Sequence, residues 1–413
     1  MPPKADVVVI GGGIVGAACA YYLCAAGLDV HLVERSFPAS GTSRACDGLI
    51  LLWDKSGAEF EMGRASAALW AELAETLRDE PQDDALRDEP QDDALRAGPQ
   101  DDALGLDFEY ARTGTVLLAE SEEGMASARE RVAAMEAVGV RAEALDNVGL
   151  RSLEPNLAPD LAGGALFPDD AQVDPRRATL ALLAAAQRQG LTLHTHAEVI
   201  AIRREENGRR RISQVITRTG EIATESVVCA AGTWSNQVAR LVGIETPIRP
   251  RKGHILVTAK VPGLIHHPLL EGGYAATVQS ASERLEVAFV AEMTASGTLL
   301  LGSSRQFVGY DRTVSLPVMR ALAVRAARFL PPLARGGVKV IRSYAGLRPW
   351  SPDHLPLIGP VEAVPGFYLA AGHEGAGIGL APVTGRLIAD WIAGIELPPF
   401  TGEVRPDRFE LVG

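Results

Sequence analysis

"VVVIGGGIVGAACAYYLCAAGL", Val7 to Leu28, is a run of twenty-two residues without a charge. About 20 apolar residues suffice to cross a bilayer, and Lys4 ahead of the run would serve as the basic start of a signal segment. Its internal order points elsewhere. Gly11, Gly12 and Gly13 interrupt it, and glycine inside a helix costs about 1 kcal/mol per residue. The run therefore divides into two elements. Val7–Ile10 is β-branched, too short to span, and suited to a strand buried on both faces. Ile14–Ala26 has the Ala, Leu and Tyr content of a helix, and Gly27 is its stop.

The glycines fall as Gly11-x-Gly13-x-x-Gly16 between that strand and that helix, and a second strand, "DVHLVE", ends in Glu34 some twenty residues on. These are the contexts a dinucleotide-binding fingerprint requires. Gly11 permits the tight turn, Gly13 lets the backbone N–H groups of Ile14 and Val15 approach a pyrophosphate, and Gly16 lets helix and strand pack closely. Glu34 accepts from ribose hydroxyls and repels a 2′-phosphate, which selects FAD or NAD over NADP.

Length and composition suit a globular enzyme of two domains: 413 residues, 47% hydrophobic and 22% charged. No other stretch is long and apolar enough for a transmembrane segment. Cys19, Cys24, Cys46 and Cys229 form no CxxC pair and no metal-ligand spacing, so buried thiols and a reducing cytoplasm are expected, with no metal. Between residues 190 and 235 the chain alternates in strand fashion, with turns at "ENG" and "RTGE", and ends in a buried run, Val227–Ala231, closed by Gly232. Arg209, Arg210 and Arg211 sit at one of those turns without interleaved aromatics, which argues for a solvated corner and against nucleic acid.

"VVVIGGGIVGAACAYYL", "SGTSRACDGLI", "VVCAAGTWS", "SYAGLRPWSPDHLPLIG" and "GFYLAAGHEGAGIGLAPVTGRLIADWI" stand in the order found in the FAD-dependent D-amino acid oxidase superfamily, which this chain resembles over nearly its whole length. Within it, "RKGHILV", "LLLGSSRQFVGYD" and "GHEGAGI" look most like the flavoprotein subunits of opine oxidases, hydrogen cyanide synthase and D-hydroxyproline dehydrogenases. The resemblance implies an α/β protein. A discontinuous Rossmann-like FAD domain covers 1–76, 145–243 and 341–400, and it interleaves with an α+β substrate domain, 104–144 and 244–340, built on an antiparallel sheet that roofs the flavin.

The same resemblance implies that Glu34 and Arg35 face the adenosine ribose, Thr42 and Ser43 the pyrophosphate, Val199 the adenine through its backbone, and Gly48 and Leu49 the flavin ring. Cys46 and Asp47 stand near the stretch where histidine-linked relatives attach their flavin, so FAD is expected to be non-covalent. Gly375, Gly377, Ile378 and Gly379 precede a helix whose N-terminus would face the flavin N1–C2=O edge, where reduced flavin is negative.

Arg348 falls on the position of the family's carboxylate-binding arginine in "GLRP", where a guanidinium fork would hold an amino-acid carboxylate. Tyr274, in "LLEGGYAATV" on the roofing sheet, is read equally as a second substrate contact or a packing residue, and His254 and Trp350 are weaker candidates. His373 and Glu374 lie within the glycine run. Glycine oxidases of the thiamine pathway carry an arginine where this chain has Gly375, which turns the expectation towards proline-like or N-substituted amino acids. Glu374 would then accept from the substrate amine, or else orient a neighbouring arginine. The implied reaction is hydride transfer from an amino or imino acid to flavin N5. The alternative is an FAD-carrying electron-relay or scaffolding subunit of a multi-subunit dehydrogenase, beside a small iron–sulfur or second flavoprotein partner.

The net charge of −12 has a local source. Residues 77–103 repeat a nine-residue unit three times, with ten Asp/Glu against three Arg, and so account for −7 of it. A proline in each unit, few apolar residues and like charges predict a solvated insertion without packed structure. Deleting it is expected to leave flavin content and turnover intact; loss of either in the deletion variant would show that the repeat belongs to the working enzyme.

Overall fold

The computed structural model describes residues 3–78, 106–205, 211–335 and 337–411. Its first sheet has six strands in the order 357–360, 367–371, 227–229, 7–10, 30–33, 192–194. All neighbours are parallel except Leu357–Pro360, which runs antiparallel to Phe367–Ala371. Side chains alternate across a strand, so Val7–Ile10 must supply apolar residues to both faces. Val7 and Val9 join one core with the helices Ile14–Ala25, Pro175–Arg188 and Ala381–Ala393. Val8 and Ile10 join another, under the antiparallel strands Val199–Arg204, Ile212–Thr217 and Glu221–Ala223.

A second sheet has eight strands, in the order 340–350, 249–258, 299–305, 286–293, 269–271, 115–119, 163–167, 143–146. Its pairs are antiparallel apart from Leu269–Glu271 with Thr115–Ala119. Helix Leu316–Phe329 covers one face with Val318, Leu322, Ala326 and Phe329.

This sheet moves the expected boundaries. Strands Glu143–Asp146, Gly163–Phe167 and Val340–Trp350 hydrogen-bond into it, so residues 145–167 and 341–350 follow the second sheet and not the first. Tyr274, expected on the roofing sheet, opens the short helix Tyr274–Gln279, because Gly272 and Gly273 end the strand before it. Leu77, counted with the acidic repeat, is buried near the end of helix Gly57–Arg78. The rest of the predicted insertion, residues 79–103, lies outside the described residues.

Helices Ile14–Ala25 and Ala381–Ala393 meet at Gly385, where an added Cβ would stand 2.5 Å from both the carbonyl carbon and oxygen of Ala18. Backbone cannot yield as a flexible side chain would, and overpacking of this kind costs about 1–3 kcal/mol. Gly385→Ala is expected to lower Tm with the fold retained; an unchanged Tm would mean that the helices separate freely.

Candidate active site

A cavity of about 700 Å³ opens where the parallel strands end, with Ile10, Val33, Ala230 and Ala371 in its wall. In open α/β sheets this carboxyl edge is where ligands bind. Gly11 takes φ +113°, and a Cβ there would lie 2.6 Å from the Ala230 carbonyl oxygen. Gly16 lies beneath the turn and outside the cavity wall. Its missing Cβ leaves room for the Gly11 carbonyl oxygen, which would stand 1.9 Å from it. Gly13, Ile14 and Val15 therefore face the cavity at the start of the helix.

The Glu34 carboxylate locks this turn, accepting from the Gly12 N–H at 2.8 Å and from the Ser36 N–H at 2.8 Å. Ser43 Oγ accepts from the Ile14 N–H at 3.0 Å. Thr42 Oγ1 donates to the Leu347 carbonyl at 2.6 Å, which ties the turn to the strand of Arg348. Arg35 stacks over Trp234, 3.9 Å from the ring centroid. Val199 and Gly232 complete this part of the wall.

Tyr274, Arg348, His373, Glu374, Gly375, Gly377 and Ile378 line the same cavity. Gly48 is not in that wall: its N–H donates to Glu292 Oε2 at 2.8 Å. Leu49 and Gly379 border a smaller adjoining cavity instead.

Arg348 is positioned by two glycines. At Gly346 a Cβ would lie 2.6 Å from the Ala45 carbonyl oxygen, and at Gly253 it would lie 2.2 Å from Arg348 Nη1. Nη1 donates to the Ser304 carbonyl at 2.9 Å. Among the described residues no carboxylate lies within ion-pair distance of this guanidinium. Burial, then the cation of Arg305, lowers its pKa from the ordinary arginine value. A desolvated fork without an anion is a site for one.

Two further arginines stand nearby, Arg251 and Arg305, both fully buried. Arg251 Nη1 donates to Glu374 Oε1 at 3.1 Å, and Nη2 to Glu286 Oε2 at 3.0 Å. Arg305 Nη1 donates to Thr277 Oγ1 at 2.7 Å, its Nε is 3.8 Å from Glu374 Oε1, and its guanidinium lies 4.9 Å from the Tyr274 ring centroid. Glu374 is thus ion-paired through Oε1 while lining the cavity. The sequence reading missed Arg251, Arg305 and Glu292. Their only signal was a charged residue inside an apolar strand pattern.

Both histidines are neutral. Thr384 Oγ1 donates its single proton to the Leu380 carbonyl at 2.8 Å, so it can only accept from His373 Nε2–H at 2.9 Å; burial pushes this histidine down to about 3. His254 Nε2 accepts from the Ser315 N–H at 3.2 Å, which puts its proton on Nδ1, facing Ser304 Oγ at 3.0 Å. Burial, with Lys252 and Arg348, holds it at about 4.

The family described as FAD dependent oxidoreductase matches residues 6–391, and the chain belongs to it. Glycine oxidase of Pseudomonas aeruginosa is 30% identical over 94% of this chain and 95% of its own length. The hydrogen cyanide synthase subunit HcnC of Pseudomonas protegens is 29% identical over 96% and 95%. The crystal structure of glycine oxidase from Geobacillus kaustophilus superposes with a TM-score of 0.84 at 26% identity, covering all of both chains, and that of L-proline dehydrogenase from P. horikoshii with 0.82 at 25%, covering 99% of each. The chain is thus an FAD-dependent oxidoreductase of the glycine oxidase and amino acid dehydrogenase type. Among the described residues no helix is long and apolar enough to cross a membrane.

Buried carboxyls make stability depend on pH. Burial, then the charge of Asp47, raises Glu292 from 4.5 to about 8; burial raises Asp170 from 3.8 to about 7 against its bonds from Thr115 and Leu52. The folded state therefore holds protons that the unfolded chain has lost, and stability falls as pH rises from about 4.5 to about 8. Glu292→Gln keeps an acceptor for the Gly48 N–H and is expected to flatten that fall in Tm against pH. A slope equal to that of the wild type would mean that Glu292 is already ionised in the fold.

Proposed function

We propose that this protein oxidises the C–N bond of a small amino or imino acid, and that Arg348 holds the substrate carboxylate. The observation that carries the reading is the half-buried Arg348 guanidinium, which faces the cavity without a carboxylate partner among the described residues. The substrates in the relatives' names, glycine and L-proline, belong to this class.

The cavity suits the family's cofactor, since its length is opened by glycines whose Cβ atoms would collide with backbone. Gly13, Ile14 and Val15 would receive the pyrophosphate, Glu34 and Arg35 the adenosine ribose, with Val199 beside the adenine and Gly375, Gly377 and Ile378 beside the flavin. Bound FAD supplies the two-electron acceptor. The chain's residues supply orientation: Arg348 fixes the carboxylate in two places, and that fixes where the substrate Cα–H points. Tyr274, held under Arg305, bounds the substrate from the other side. His373 holds the glycine loop through Thr384 and serves no proton transfer, being neutral with its Nε2–H engaged. A dissociable cofactor is supported by Cys46, whose thiol donates to the Ser43 carbonyl at 3.5 Å and is pushed up by burial.

The similarity to HcnC favours a second reading, in which this chain carries FAD within an assembly containing a small iron–sulfur or second flavoprotein subunit. Anaerobic bleaching of the flavin by amino acids in the isolated holoprotein separates the two. Arg348→Ala is expected to lower kcat/KM at least about a hundredfold, corresponding to ~3 kcal/mol of transition-state positioning. Arg348→Lys keeps the charge without the fork and should retain part of the reduction, with FAD content unchanged in both. Equal rates in the wild type for an amino acid and for the same amine without its carboxylate would assign Arg348 to structure.

A further inference from the structure

A second cavity of about 30 Å³ adjoins the first and shares Asp47, Tyr274, His373, Glu374 and Gly375 with it. In a cavity of this kind one water needs roughly 10–15 Å³. The cavity therefore has room for about two waters and not for a substrate side chain. Its wall is polar. His354 Nδ1 is buried there without a partner in the protein, the condition a bound water relieves. Across from the shared wall stand Asp54, Lys55 and Glu59, at the approach to helix Gly57–Arg78 and in its first turn.

An amino acid arrives as an ammonium, and its oxidation by loss of a hydride requires the neutral amine, so one proton must leave the closed site. The shared wall offers no final recipient. His373 is engaged at Nε2 and has its pKa pushed down by burial. Glu374 is tied to Arg251. Asp47, which burial raises against the fields of Arg348 and Arg305, lines both cavities and so can relay the proton but does not end its route. Tyr274 donates protons and does not collect them. On the far side Lys55 is already charged: burial alone would strip its proton, but Asp54 at 2.7 Å and Glu59 hold it on.

We propose that this cavity is the proton exit of the active site, with two waters carrying the substrate's ammonium proton to the carboxylate of Glu59. The N–H bond breaks with its electron pair left on nitrogen, O–H bonds exchange along the waters, and a new O–H bond forms on Glu59. Glu59 is half-buried beside the exposed Ser56 and Gly57, and passes the proton to solvent. No oxidant is involved. Burial, offset by Lys55 and reinforced by Asp54 and Glu374, raises Glu59 to about 7, a value suited to taking up and releasing a proton near neutrality. The inference rests on the proposed oxidation of an amino or imino acid.

The test uses the FAD-loaded enzyme, with Glu59→Gln and Glu59→Asp. In the wild type, the rate of anaerobic flavin reduction by glycine or L-proline is expected to rise with pH through a group near 7. In Glu59→Gln that inflection should disappear and the rate at pH 7 fall at least about tenfold, while Glu59→Asp should keep the inflection. An infrared difference titration of the holoprotein supplies a readout independent of turnover: Asp170 and Glu292 also titrate near neutrality, so the expected result is one carboxyl fewer titrating near 7 in Glu59→Gln than in the wild type. If Glu59→Gln does not fold, the Glu59→Asp profile decides, and its inflection must remain. An unchanged pH profile in Glu59→Gln, an unchanged infrared titration in that variant, or loss of the inflection in Glu59→Asp overturns the proton exit. If neither amino acid nor any other bleaches the wild-type flavin, the functional reading fails, and the exit with it, even where the infrared difference is present.

Discussion

The site depends on one close approach: the Gly11 carbonyl oxygen lies where a side chain at position 16 would begin. Because Gly16 has no Cβ, helix Ile14–Ala25 can start directly against the end of strand Val7–Ile10, and its first N–H groups face the cavity. Glu34 holds the turn from one side and Ser43 from the other. Thr42 then joins this half of the molecule to Leu347, next to Arg348. The glycine turn and the strand of Arg348 are thereby held in fixed relation through a short run of backbone.

Around Arg348 the charges are arranged unequally. Arg251 is satisfied by Glu374 and Glu286, and Arg305 is shared between hydroxyls and Glu374. Arg348 has only a carbonyl. A buried cation that is fully paired is structural, whereas one left without its anion is costly unless a ligand supplies it. The distribution of partners sets the half-buried Arg348, which lines the cavity, apart from the fully buried Arg251 and Arg305 behind it.

The N-terminal fingerprint was legible because every part of it is local: strand, glycines, helix and terminal acid lie within thirty residues. The same holds for the glycine run before helix Ala381–Ala393. What escaped the sequence depends on distant pairing. Arg251 meets Glu374 across 123 residues, and Glu292 meets Gly48 across 244; neither contact leaves a periodicity to read. The boundaries failed for the same reason. Strands Glu143–Asp146 and Gly163–Phe167 have nothing in their own composition to say which sheet they join. Tyr274 was expected on the roofing sheet, although the paired glycines before it are a stop signal that could have been weighed more heavily.

Gly253 and Arg348 sit two residues out of register on paired strands, and the space of one missing methyl group at 253 is what the guanidinium occupies. A side chain at 253 would therefore displace the guanidinium, and with it the direction in which the cation faces the cavity; exchanging the arginine for a small residue would leave a void that a side chain at 253 could fill.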